Sequence, residues 1–105
     1  MKKKITFCFD IDNTICKTKG SNYKASTPYP IAIKRINNLY DNGHKIKLYT
    51  ARYMGRNNDK LKNKKKIYLK IKKQVDSWGL KYDKLFILKP SADVYIDDKS
   101  YGYNK

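Results

Sequence analysis

The chain has 105 residues, near the usual size of one domain, and 25 basic against 9 acidic side chains give it a formal charge of +16. A hydrophobic content of 40% suits a folded domain rather than a disordered tail, and no apolar run approaches the roughly 18 residues of a membrane span. Met1 to Lys4 looks like the start of a secretory leader, but the apolar stretch behind it stops at Asp10, so secretion and membrane insertion are not expected.

Ile5 to Phe9 reads as a short buried strand, apolar on both faces. Asp10 to Tyr29 is polar, with Gly20 and Pro28, and reads as loop. Pro30 suits the first turn of a helix running to about Asp41, with Ile33, Ile36, Leu39 and Tyr40 as its apolar face and Asn42-Gly43 as its end. Lys45 to Tyr49 is a second strand. A longer helix is expected from about Asn58 or Asp59 to Trp78, with Leu61, Tyr68, Ile71, Val75 and Trp78 as its stripe and Gly79 closing it. Leu85 to Leu88 and Val94 to Ile96 supply two more strands. Strands alternating with helices predict a single α/β domain over residues 1–105 with a parallel sheet and right-handed crossovers.

In such a sheet ligands bind at the carboxyl ends of the strands. There the sequence places Asp10, Asp12 and Thr14 after the first strand, Thr50 and Arg52 after the second, Lys89 after the third, and Asp97-Asp98 after the fourth. Four carboxylates sharing one small site need a cation, and an all-oxygen cluster suits Mg²⁺, which also takes substrate phosphate as a ligand. A divalent ion, a lysine and a spare carboxylate suit phosphoryl transfer, with one Asp attacking phosphorus and another handling the proton.

These residues resemble the motifs of the haloacid dehalogenase (HAD) superfamily of phosphohydrolases. Phe7 to Thr14 is similar to its first motif, a hydrophobic strand running into Asp-x-Asp-x-Thr, and Thr50, Lys89 and Asp97-Asp98 resemble the second, third and fourth. More narrowly, Asp12 to Cys16, Gly43-His44, Thr50 to Arg52, Trp78 to Leu80 and Lys89 to Asp93 resemble the small phosphatases of capsule and polysaccharide biosynthesis. The resemblance implies a Rossmann-like three-layer sandwich. The intervals from Thr14 to Thr50 and from Thr50 to Lys89 leave no room for a separate cap domain.

By the same resemblance Asp10 is the nucleophile and a Mg²⁺ ligand. Asp12 is the general acid and base, its backbone carbonyl also touching the metal, and Thr50 bonds a phosphate oxygen. Lys89 pairs with Asp10 and the phosphate, and Asp97 and Asp98 complete the metal shell. Thr14, Lys17, Arg52 and Arg56 are the substrate-side candidates, Thr14 more for holding the loop in shape, with Lys19, Tyr23 and Asn57 behind them. The segment from Ile15 to Tyr29 is the expected local flap.

The implied activity is hydrolysis of a small phosphorylated substrate, a sugar or polyol phosphate, in the cytoplasm. The charge keeps a nucleic-acid end phosphatase as an alternative; a non-catalytic domain of the same fold is a third reading. Of the basic residues 22 are Lys and 3 are Arg, so an AT-rich genome explains the excess as readily as a polyanion surface does. The sequence stops shortly after Asp98, which favours a homo-oligomer, with Tyr101 and Tyr103 as possible contacts. His44 is expected to be an exposed turn residue, Cys16 a structural one, and two cysteines with no metal spacing point to a reducing compartment.

Overall fold

The computed structural model describes residues 3–20, 22–50, 64–87 and 91–96. Its elements are β1 (Thr6–Asp10), β2 (Cys16–Lys17), a 3₁₀ turn (Tyr23–Ala25), β3 (Thr27–Pro28), α1 (Pro30–Asp41), β4 (Lys45–Tyr49), α2 (Lys64–Ser77), β5 (Lys84–Phe86) and β6 (Val94–Ile96). Four of the strands form one parallel sheet in the order β5-β4-β1-β6. In chain order these are the third, second, first and fourth strands of the sheet. The direction of travel therefore reverses between β1 and β6, and in open α/β sheets ligands bind beyond the carboxyl ends of the strands at such a point.

The expected α/β fold with a parallel sheet is present. Helix α1 starts at Pro30, whose missing N–H costs nothing at the first helical position, and ends at Asn42, followed by Gly43 at a φ of +90°. Gly79, at a φ of +76°, follows α2 in the same way. The apolar stripe of α2 delivers Ile71 and Val75 to the core, with Tyr68 and Trp78 packed at its margin; Leu61 and the expected start of this helix lie outside the described residues.

Strand register decides which side is covered. Phe7 and Phe9 stand beside Ile46 and Leu48, and Leu48 beside Leu85, so these side chains share one face. Ile36 of α1 and Ile71 and Val75 of α2 join the same cluster. Both described helices therefore pack on one side of the sheet, as right-handed crossovers running β1 to β4 to β5 require. The expected third layer is not supplied by any described helix. On the other side Lys47 reaches across to donate to the Ser91 carbonyl at 2.7 Å, and the Tyr95 hydroxyl accepts the Ala92 N–H at 3.0 Å. Ser91 and Ala92, just before β6, thus meet Lys47 and Tyr95 on this side.

Other expectations need correction. The segment from Asp10 to Tyr29 is not plain loop: Cys16 and Lys17 pair antiparallel with Pro28 and Thr27 in a small ribbon. Tyr40 lies 38% exposed, because the stripe of α1 centres on Ala32, Ile36 and Leu39, and the small Ala32 hid that line. His44 is half-buried rather than a free turn residue. Its Nδ1 accepts the Ile5 N–H at 3.1 Å and its ring meets Phe7 edge-on at 5.5 Å.

Two aspartates tie the edge strands to the sheet. Asp83 precedes β5 and exchanges two hydrogen bonds with Ile46: its Oδ2 accepts the Ile46 N–H at 2.7 Å, and its own N–H reaches the Ile46 carbonyl at 2.8 Å. Asp93 precedes β6 and does the same with Thr6, at 2.8 and 3.0 Å. An edge strand of three residues has few ladder bonds, so a carboxylate clasp at its start fixes register where the ladder cannot.

Candidate functional site

The site begins where β1 runs out. Asp10 is the last residue of that strand, half-buried. Ile11 is fully buried, and its carbonyl accepts the N–H groups of Ile15 at 2.9 Å, Thr14 at 3.3 Å and Cys16 at 3.4 Å. The chain thus wraps round one core-anchored oxygen. Asn13 takes a φ of +63°, a conformation that asparagine tolerates better than most residues, and its side chain accepts the Thr18 N–H at 3.2 Å. Asp10 and Asp12 flank the anchor at the carboxyl end of β1, both half-buried.

Strand β4 ends beside them. Ile11 donates to the Tyr49 carbonyl at 3.2 Å and Thr50 to the Phe86 carbonyl at 3.1 Å, so the ladder continues one step past the strand ends. That step brings Thr50 to Asp12, and the Thr50 hydroxyl donates to Asp12 Oδ2 at 3.3 Å. The other carboxylate oxygen, Oδ1, accepts the Thr18 hydroxyl at 2.7 Å. Thr18 is nearly buried, and Ser26 lies 2.6 Å from its hydroxyl. Cys16 Sγ is 3.6 Å from the Ile11 carbonyl and 3.5 Å from Thr18, which makes it part of the packing under the loop, as expected.

Three of the predicted residues, Asp10, Asp12 and Thr50, therefore come together at one sheet edge. Thr14 is also there, its side chain fully buried under the loop. Lys17 is exposed on the ribbon, as is Lys19 beyond it, while Tyr23 is half-buried. The Tyr23 carbonyl accepts Gln74 Nε2 at 2.8 Å, which ties the ribbon's turn to α2. Arg52, Arg56, Asn57, Lys89, Asp97 and Asp98 lie outside the described residues. The sequence reading missed Thr18, Ser26 and Asn13; the spacing of hydroxyls after an acidic turn was the available signal, but only the ribbon's fold shows which of them returns to Asp12.

The donors at this edge are all oxygen, the hard type that Mg²⁺ takes. Among the described residues no group of three or more His, Cys, Asp or Glu comes together. Asp10 and Asp12 are the part of the expected ligand set that lies among the described residues.

A cluster of titratable groups lies at the amino end of the sheet. Asp76 sits between Lys72, at 2.9 Å, and the Tyr82 hydroxyl, at 2.6 Å. Burial and the hydrogen bond to Asp76 push Tyr82 up to about 12, and both donors hold the Asp76 carboxyl below its usual range against the opposing effect of burial. This network joins α2 to the approach of β5 and is structural.

No protein-family model and no curated protein matches the chain. Among solved structures it is similar to a conserved protein from Bacteroides thetaiotaomicron. The TM-score is 0.64 over 98% of this chain and 83% of that one, at 20% identity. At that identity the likeness shows the fold alone. It supports the α/β architecture across nearly the whole chain. Among the described residues no helix is long and apolar enough to cross a membrane.

Proposed function

We propose that the protein is a Mg²⁺-dependent phosphomonoester hydrolase of the HAD type, without a cap domain, acting in the cytoplasm on a small sugar or polyol phosphate of polysaccharide biosynthesis. The observation that carries the reading is the meeting of Asp10, Asp12 and Thr50 at the carboxyl ends of β1 and β4, next to the place where the strand order of the sheet reverses. Two carboxylates two residues apart, one of them held by hydroxyls from separate elements, provide a nucleophile and a proton carrier side by side.

In this mechanism an Asp10 carboxylate oxygen attacks phosphorus and the bond from phosphorus to the leaving oxygen breaks. Asp12 gives its proton to that oxygen, then takes one from the water that cleaves the aspartyl-phosphate. Thr50 turns its hydroxyl from Asp12 to a phosphate oxygen when substrate is present. Lys89 neutralises charge on Asp10 and the phosphate. Mg²⁺, held by Asp10, the Asp12 carbonyl, Asp97 and Asp98, would supply further neutralisation of the phosphoryl oxygens. The buried thiols of Cys8 and Cys16 suit a reducing compartment.

The test is phosphate release with Mg²⁺ from a panel of sugar phosphates, polyol phosphates, nucleotides and end-phosphorylated oligonucleotides, at two salt concentrations. The expected result is turnover of a small phosphate ester, little changed by salt, abolished by chelation and by Asp10→Asn. Preference for oligonucleotide ends that fades with salt would transfer the reading to the +16 surface. Absence of Asp10-dependent release from every substrate would overturn it.

A further inference from the structure

The two oxygens of Asp12 are held unequally. Oδ1 takes the short bond, 2.7 Å, from a hydroxyl on a nearly buried residue. Oδ2 takes the longer one, 3.3 Å, from Thr50. Thr18 has one hydroxyl proton, and that proton goes to Asp12. The 2.6 Å contact between Thr18 and Ser26 is therefore a bond donated by Ser26, which polarises the Thr18 hydroxyl further. The Thr18 backbone is fixed by the Asn13 side chain at 3.2 Å, and the ribbon carrying Ser26 is fixed to α2 through Gln74.

We propose that Thr18, backed by Ser26, is a positioning residue that pins Asp12 by Oδ1 and so leaves Oδ2 as the oxygen that carries the proton. The proposal rests on the phosphatase reading for its chemistry, but the pinning itself is a property of the fold. A carboxyl group fixed at one oxygen has a single side-chain rotamer, and its second oxygen points to one place. A proton carrier gains from that because transfer needs heavy atoms within about 2.6–3.2 Å of each other. The ribbon at residues 16–28 is thus an arm that holds the acid, not only a cover.

The experiment compares Thr18→Val, Thr18→Ser and Ser26→Ala with the parent protein in two measurements. The first is kcat/KM for an alkyl phosphate, glycerol phosphate, against an aryl one, p-nitrophenyl phosphate, a ratio that reads the steps up to departure of the leaving group and not the later hydrolysis common to both. Only the alkyl leaving group needs a proton from Asp12. Thr18→Val should lose about tenfold or more on the alkyl ester and a few-fold on the aryl one, since general acid catalysis supplies on the order of 10²–10⁴. Thr18→Ser should restore the parent rate, and Ser26→Ala should fall between. Equal losses on both esters, or none, would overturn the proposal. The second measurement is the three-bond coupling from Asp12 Cγ to the backbone, read by NMR. One rotamer is expected in the parent and in Thr18→Ser, and averaging in Thr18→Val. Unchanged couplings in Thr18→Val would overturn the proposal even in a protein without turnover, whereas loss of turnover in the parent alone would fall on the phosphatase reading.

Discussion

Removing the carboxylate of Asp83 should cost more than removing that of Asp93, although the two make the same pair of bonds at the same point of an edge strand. The difference lies in the partner. The Asp83 carboxylate accepts the N–H of Ile46, a fully buried residue of the central strand β4, and the bond is itself partly buried. In Asp83→Ala that donor is left without its acceptor where water reaches it poorly, a loss of about 1–3 kcal/mol. The Asp93 carboxylate accepts the Thr6 N–H at an exposed place. Water replaces it there, so Asp93→Ala should cost about 0.5–1 kcal/mol. Urea unfolding measures both, and at a slope of about 1–3 kcal/mol per molar the first variant should shift its midpoint by roughly 1 M and the second by a few tenths. The slope should stay constant, since neither change alters the buried surface. Asp83→Asn, which keeps an acceptor oxygen, should recover most of the loss. Equal midpoints for the two alanine variants, or a larger shift for Asp93→Ala, would refute the argument that burial of the partner sets the cost.

Three further outcomes follow from the same structure. Tyr82 holds its proton up to about 12 in the fold against 10.0 for an ordinary tyrosine, so the unfolded chain releases it first. Stability should then fall as pH rises from about 10 toward 12, and Tyr82→Phe, weaker at neutral pH, should show a shallower fall in unfolding curves taken across that range. Leu48, fully buried in β4, should cost about 2–5 kcal/mol as Leu48→Ala, whereas Leu69, 53% exposed on α2, should stay within about 0.5 kcal/mol as Leu69→Ala; chemical denaturation that ranks them together would contradict the core assigned here. Gly43→Ala should destabilise by about 1 kcal/mol through its φ of +90°, since the close atom its Cβ would meet, Lys4 Nζ, is the end of a flexible side chain; a neutral variant in thermal melts would count against the left-handed helix end.

Periodicity carried most of the fold. The apolar lines of Ile36 in α1 and of Ile71 and Val75 in α2, and the alternation Lys45-Ile46-Lys47-Leu48, each report which side faces the core, and α1, β4 and the end of α2 form within a residue or two of the places they imply. The placement of both helices on one face was not legible, because alternation names a buried side without saying what buries it. The ribbon from Cys16 to Pro28 was missed for a related reason. Its strands are two residues long, too short for any period, and they form because Ile15 and Cys16 are anchored to the loop beneath them. At the candidate site, Asp10, Asp12 and Thr50 were readable from their places at strand ends. Thr18 was not, since its link to Asp12 depends on how the ribbon folds back.

The acids show how the site and the scaffold divide the sheet. In a chain this basic a carboxylate is scarce, and the described ones have distinct places. Asp83 and Asp93 clasp the amino ends of the edge strands, Asp76 joins Lys72 and Tyr82 beside them, and Asp41 pairs with Lys81 at 2.8 Å. All four serve contacts near the end of the sheet where strands begin. Asp10 and Asp12 stand at the opposite end, where β1 stops and the strand order reverses. Clasping β6 through Asp93 also fixes its register on β1, with Ile96 beside Phe9, the residue before Asp10. A stability contact at one edge thereby sets the geometry of the chemistry proposed at the other.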